Sequence, residues 1–167
     1  MDTLGAISTR WAAMLAASEA LAEWTDEKYG REPKIYLGLN LKKPPTEDDC
    51  PCVIVLPEST QMTDESYPND ATISILWSVS NSEMEEDDDG VQVMVGLLES
   101  EEFGREIWDV LYQDKTVVPQ SVSFELDPAG SFPQFPGSME ISVKYKFLNQ
   151  GQAALRGGFF VAHERSA

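Results

Sequence analysis

The chain has 167 residues, 29 Asp and Glu against 12 Lys and Arg, a net charge of -17 and 42% hydrophobic residues, including four Trp and seven Phe. That length fits one compact domain and that apolar share builds a core, which excludes a disordered acidic tail. The scattered cations, densest at Lys42, Lys43 and at Lys144, Lys146, give no basic stripe for nucleic acid or an anionic membrane, and no apolar run nears the roughly 20 residues of a bilayer crossing.

Leu4, Ile7, Trp11, Met14 and Leu21 recur at helical spacing and predict an amphipathic helix over residues 3–24. Within it, Ala12 to Ala17 looks like part of a signal peptide, yet Asp2 replaces a basic n-region and Glu19 and Glu23 interrupt the apolar run, so no export signal is expected. Gly30 and Pro33 stop the helix. Lys34, Ile35, Tyr36 and Leu37 then read as a short strand, before a loop over residues 38–49 that holds Pro44 and Pro45. Pro51 and Pro57 bracket Cys52, Val53, Ile54, Val55 and Leu56, an apolar run that predicts a strand covered on both faces. Cys50 and Cys52 are separated only by Pro51, too close for a useful staple. A reducing cytoplasm is the expected folding compartment, with Cys52 a buried small hydrophobe and Cys50 a surface thiol.

Residues 58–70 turn polar and predict a long loop. Ile73, Ile75, Trp77 and Val79 then alternate with Thr72, Ser74, Leu76, Ser78 and Ser80, the pattern of a strand with one greasy and one mostly hydroxylated face. Asp87, Asp88, Asp89 and Gly90 signal a turn, expected to join that strand to residues 91–95 in a hairpin with a charged tip. Gly96 is expected to end the hairpin, and Phe103, Ile107, Val110 and Leu111 mark a second helix over residues 97–113. Ser100 is its candidate cap, with Glu101 and Glu102 at the positive end of the dipole. Val122, Phe124 and Leu126, then Ile141, Val143, Tyr145 and Phe147, predict two antiparallel closing strands around a turn-rich stretch at residues 127–131. From Asn149 the pattern lapses, although Phe159, Phe160 and Val161 are too apolar for a solvated tail and are expected to dock. The fold class is therefore α+β, with two helices packed on a mainly antiparallel sheet in the order α-β-β-β-β-α-β-β. Residues 1–148 form the domain and 149–167 a C-terminal extension.

Aligning Gly90 with the sixth position of an EF-hand loop puts Glu85, Asp87 and Asp89 at the first, third and fifth, but Gly96 falls where the closing bidentate carboxylate belongs. The run reads as a solvated acidic tip. Cys50 and Cys52 supply at most two zinc ligands, and the single histidine, His163, lies more than a hundred residues away. His163 follows Gly157 and Gly158 in an unpatterned stretch, a poor place for a general base. No dinucleotide fingerprint or P-loop is present. Trp11 and Trp77 fall on apolar faces and are expected in the core, whereas Trp24 and Trp108 are candidate interface anchors.

The opening helix, the strand between Pro51 and Pro57, the strand over residues 71–80, the acidic turn at Gly90, residues 91–96 and the second helix together resemble the tail terminator family of long-tailed bacteriophages. So does Phe132, Pro133, Gln134, Phe135 leading into the closing strand, and the resemblance covers residues 4–148. It implies a small α+β subunit of a homo-oligomeric ring, commonly a hexamer, at the head-proximal end of the tail tube in the virion, assembled in the host cytoplasm. The implied partners are the tail tube protein and a head-completion or neck protein, with DNA passing unbound, no membrane, no catalysis and no cofactor or metal. Asp87, Asp88, Asp89, Trp108, Phe159 and Phe160 are the nominated interaction residues. The chain departs from the family in residues 58–70 and 149–167. Its charge suits a ring whose lumen repels phosphate. The alternatives are a neck or head-completion protein of the same virion, and an unrelated acidic binding domain or enzyme.

Overall fold

The computed structural model describes residues 3–61, 69–127 and 131–145. Its elements are α1 (Leu4–Ala16), α2 (Glu19–Tyr29), β1 (Lys34–Leu37), β2 (Cys52–Gln61), β3 (Asn69–Ser80), β4 (Met84–Glu86), β5 (Gln92–Met94), α3 (Val95–Leu111), β6 (Val118–Leu126) and β7 (Gln134–Tyr145). The fold is α+β with a mainly antiparallel sheet, as expected, but it has three helices among the described residues and one more short strand.

The predicted opening helix is two helices. Thr3 caps α1 by accepting the Ala6 amide at 3.1 Å. At Ser18 the backbone turns extended, ψ 110, and the Ser18 hydroxyl accepts the Leu21 amide at 3.2 Å to start α2. Gly30, at φ 66, closes α2 in the left-handed conformation that glycine adopts without a Cβ clash.

Five strands form one sheet in the order β1-β2-β3-β7-β6, antiparallel throughout except for β1 beside β2. The predicted loop over residues 58–70 is corrected at both ends: β2 runs on to Gln61 and β3 starts at Asn69, with residues 62–68 outside the described set. Pro57 does not end β2, because it sits where the β2–β3 register shifts, a place where a missing N–H is tolerated. The expected hairpin is corrected too. Its long first strand pairs with β7 over all twelve residues, and the acidic turn instead links β4 to β5 in a separate two-stranded ribbon.

Helices α1 and α3 cover one face of the sheet. Ile7, Trp11 and Leu15 of α1 and Phe103, Ile107 and Leu111 of α3 are buried against Val53, Val55, Ile73, Ile75, Trp77, Met139, Ile141 and Val143. Each of the larger side chains contributes about 1.5–3 kcal/mol by leaving water. Gly96 does not end a hairpin but lies in α3, where the Phe135 ring occupies the space a side chain would need. Ser100 is no cap either, since α3 starts five residues earlier. Buried mid-helix, Ser100 accepts the Trp77 indole N–H on its carbonyl at 2.9 Å, and its hydroxyl donates to the Phe135 carbonyl at 2.9 Å. That pair of bonds locks α3 onto β3 and β7. None of the described helices is long and apolar enough to cross a membrane.

Candidate interaction surfaces

The β4–β5 ribbon projects with both faces in solvent. Residues 82–94 carry Glu83, Glu85, Glu86, Asp87, Asp88 and Asp89 and no Lys or Arg, and Met84, cross-strand partner of Met94, is 54% exposed. Asp87, Asp88 and Asp89 lie at the tip, as predicted, and there Asp87 has a structural task. Its Oδ1 accepts the Asp89 amide at 3.0 Å and the Val91 amide at 2.8 Å, while Gly90 takes the positive φ of 81 that closes the turn. The EF-hand alignment has no geometric counterpart: Glu85 belongs to β4 and Gly96 to α3, so the loop that would wrap a cation is drawn out along a ribbon. Among the described residues no group of three or more His, Cys, Asp or Glu is placed to hold a metal.

Trp108 is half-buried against the core and tilted on Tyr112 at 5.5 Å between centroids. Trp24 is likewise half-buried, stacked on Phe103 at 5.2 Å. Trp11 and Trp77 are core residues, as expected. Phe159, Phe160 and His163 lie outside the described residues.

The structure adds a surface that hydrophobic periodicity missed. Strand β6 ends the sheet, and among the described residues its only strand partner is β7. It is exposed along almost all of its length, with Val118 at 60% and Phe124 at 39%. The legible signal was charge, because residues 116–124 form a stretch without a single charged side chain in a chain of net charge -17. At the other end of the sheet, β1 is the opposite edge, with Leu37 50% exposed. Beside it an open groove of about 690 Å³ is lined by Tyr36, Leu37, Ile54, Pro44 and Pro45, with Lys43 and Asp49 at its polar side. Asp49 accepts from Lys34 Nζ at 2.6 Å and from the Thr46 amide at 2.9 Å, bonds that hold its carboxyl down at about 2.

Cys50 is buried rather than on the surface, only 2% exposed like Cys52, and both are free thiols. Cys50 Sγ donates to the Thr46 carbonyl at 3.7 Å, and the neighbouring Cys52 thiol lowers Cys50 to about 7, while Cys50 and burial push Cys52 up. Burial keeps this acidic thiol away from reagents, so the pair is a packed feature of the strand start.

No family model and no curated protein sequence matches this chain. Its surfaces therefore carry the functional argument.

Proposed function

We propose that the chain is a structural subunit of a long-tailed phage virion, one that closes into a ring and terminates the tail tube at its head-proximal end. The observation that carries this reading is the open sheet: among the described residues nothing pairs with the outer side of the nine-residue β6, and Val118, Val122 and Phe124 are exposed on it. An edge of that length invites strand pairing unless something covers it. Pro119 and the register shift beside it blunt only its first residues. The acidic ribbon supports the reading as an axial contact or lumen element, and the charge of -17 suits a channel that DNA crosses without adhering. The subunit's work is assembly, with the tail tube protein on one side and a head-completion or neck protein on the other.

The test is addition of purified protein to tail tubes that lack a terminator, read by negative-stain microscopy. Rings seated on tube ends support the reading. Binding to heads instead of tubes assigns the chain to the neck, and a strict monomer that leaves tubes bare overturns the ring.

A further inference from the structure

We infer that copies of this chain join head to tail through their sheet edges, β6 of one copy pairing antiparallel with β1 of the next in the register that sets Val122 opposite Leu37 and Phe124 opposite Ile35. This rests on the ring reading, which requires a contact between two different surfaces.

Strand direction is the first support. Because β1 runs parallel to β2 while β2–β3, β3–β7 and β7–β6 are antiparallel, the two edges of the sheet run in opposite directions. Rotation about an axis along the strands preserves strand direction, so it brings β6 beside the next copy's β1 in antiparallel orientation. The sheet continues across the junction with its helices on the same side.

Main-chain parity gives the second support. The amides of Lys34 and Gly38 donate to Pro51 and Val55 of the neighbouring segment, so the alternate residues Ile35 and Leu37 turn their N–H and C=O outward. On β6 the Asp127 amide donates to Pro136, and by the same alternation Glu125 and Ser123 bond inward while Val122 and Phe124 face out. The residues whose backbone groups point outward are therefore the ones the register sets opposite each other.

Side-chain chemistry agrees independently. Val122 and Phe124 share the helix-covered face with their β7 partners Ile141 and Met139, and Ile35 and Leu37 share it with Val53 and Val55. Apolar meets apolar on that face. On the other face the same register brings Glu125 opposite Lys34, whose side chain is 52% exposed and whose ammonium has donors to spare beyond its bond to Asp49. A shift of two residues either sets Ser123 opposite Lys34, with no ion pair, or sets Asp127 there and carries Val122 past the end of β1. A second copy is the occupant that strand direction, parity and the facing apolar pairs fit; chains of net charge -17 repel one another, and the uncharged residues 116–124 give a place where two copies can approach. The junction is only four residues long on β1, so two free copies hold each other weakly, and ring closure, in which every copy makes two junctions, supplies the rest.

The test uses the full chain carrying Leu37→Cys or Val122→Cys, with Cys50 and Cys52 buried and wild-type protein as the control. Mild oxidation or a short bis-maleimide should link a mixture of the two variants into dimers, leave each variant alone unlinked, and drive the double variant to a ladder that ends in a closed ring. Linking of Val122→Cys to itself would mean a symmetric β6–β6 contact and overturns the inference. A Val122 thiol shielded from maleimide in the monomer would mean that residues 146–167 of the same chain cover the edge, which also overturns it. No linking in protein that light scattering shows to be oligomeric overturns the edge contact and leaves the ring reading standing, whereas no linking in a strict monomer that leaves tail tubes bare ends both. Glu125→Lys, an exposed change, gives a readout that does not depend on thiols: association should weaken about two- to five-fold and recover when Lys34→Glu is added, which re-forms the pair in reverse at the original net charge, and no difference between the single and the double variant would refute the register.

Discussion

Asp114 shows how much of the fold a single carboxylate can hold. It accepts from Arg10 Nε and Trp11 Nε1, each at 2.9 Å, and from the Thr116 amide at 2.9 Å and hydroxyl at 2.6 Å, tying α1 to the turn before β6. Burial alone would raise its carboxyl, but the bonds from Thr116, Arg10 and Trp11 outweigh it and hold the group below its ordinary 3.8. A carboxylate lowered on folding stabilises the protein in full above the unfolded value and loses that contribution as pH falls through the folded one. Asp114→Ala should therefore lose about 2–4 kcal/mol at neutral pH, measured by urea unfolding, and the gap to wild type should narrow below pH 3.8. Gly137 is the complementary case, a place where nothing fits. It lies across from Trp77 in the β3–β7 register, and a methyl there would stand within the indole ring's contact radius. Trp77 cannot yield, since its indole is buried and bonded to Ser100. Gly137→Ala should cost about 1–3 kcal/mol by overpacking, seen as a lower melting temperature, and a variant as stable as wild type would refute this account of the site.

Among the elements, the β4–β5 ribbon has the least to lose. Asp87, Asp88 and Asp89 are exposed and crowd like charges at one tip, and an Asn at position 87 keeps the oxygen that accepts from Asp89 and Val91. Replacing all three with Asn should leave stability within about 0.5 kcal/mol of wild type, and millimolar Ca2+ should barely move the melting temperature. A saturable, stoichiometric heat of Ca2+ binding would contradict the drawn-out geometry of the ribbon. The ribbon's tip, β3 and α3 were legible because turn chemistry or one-sided burial writes a local pattern. Residues 58–61 were not, because their strand is held by backbone pairing to β3 while their side chains face water. The break at Ser18 hid behind apolar spacing that carries on from α1 to Leu21. Ser100 looked like a cap because nothing local reveals an indole arriving from residue 77. For the surfaces, the acidic tip could be read directly from sequence. Trp108 was placed on a helix but not sunk halfway into the core, and the β6 edge needed a sheet order that no spacing of residues encodes.

For the molecule as a whole, charge sets the terms of assembly. Copies of net charge -17 repel through solvent, so self-association should tighten as salt screens that repulsion, checked by sedimentation at low and high salt. Association that weakens with salt would mean that ion pairs outweigh the net repulsion. The wild-type protein should leave duplex DNA unshifted in a gel even at low salt, where phosphate contacts are strongest. Salt-sensitive binding would sink the repelling channel. Reversing Asp87, Asp88 and Asp89 to Lys should slow genome passage if the ribbon lines that channel, and infectivity unchanged by the reversal would put the ribbon on the outer rim.

The sheet order also fixes when this molecule can exist at all during its own synthesis. Strand β7 lies between β3 and β6, yet it is the last described strand to leave the ribosome. Until it arrives, β3 has an open side, β6 has no neighbour, and Ser100 lacks the Phe135 carbonyl that its hydroxyl bonds. Arg10 and Trp11, made about a hundred residues earlier, wait for Asp114. Pairings this distant along the chain delay folding until their far partners exist. A nascent chain stopped before residue 134 is thus not a smaller version of the domain but a set of greasy segments awaiting their partner, and the finished fold should appear in one late, cooperative step.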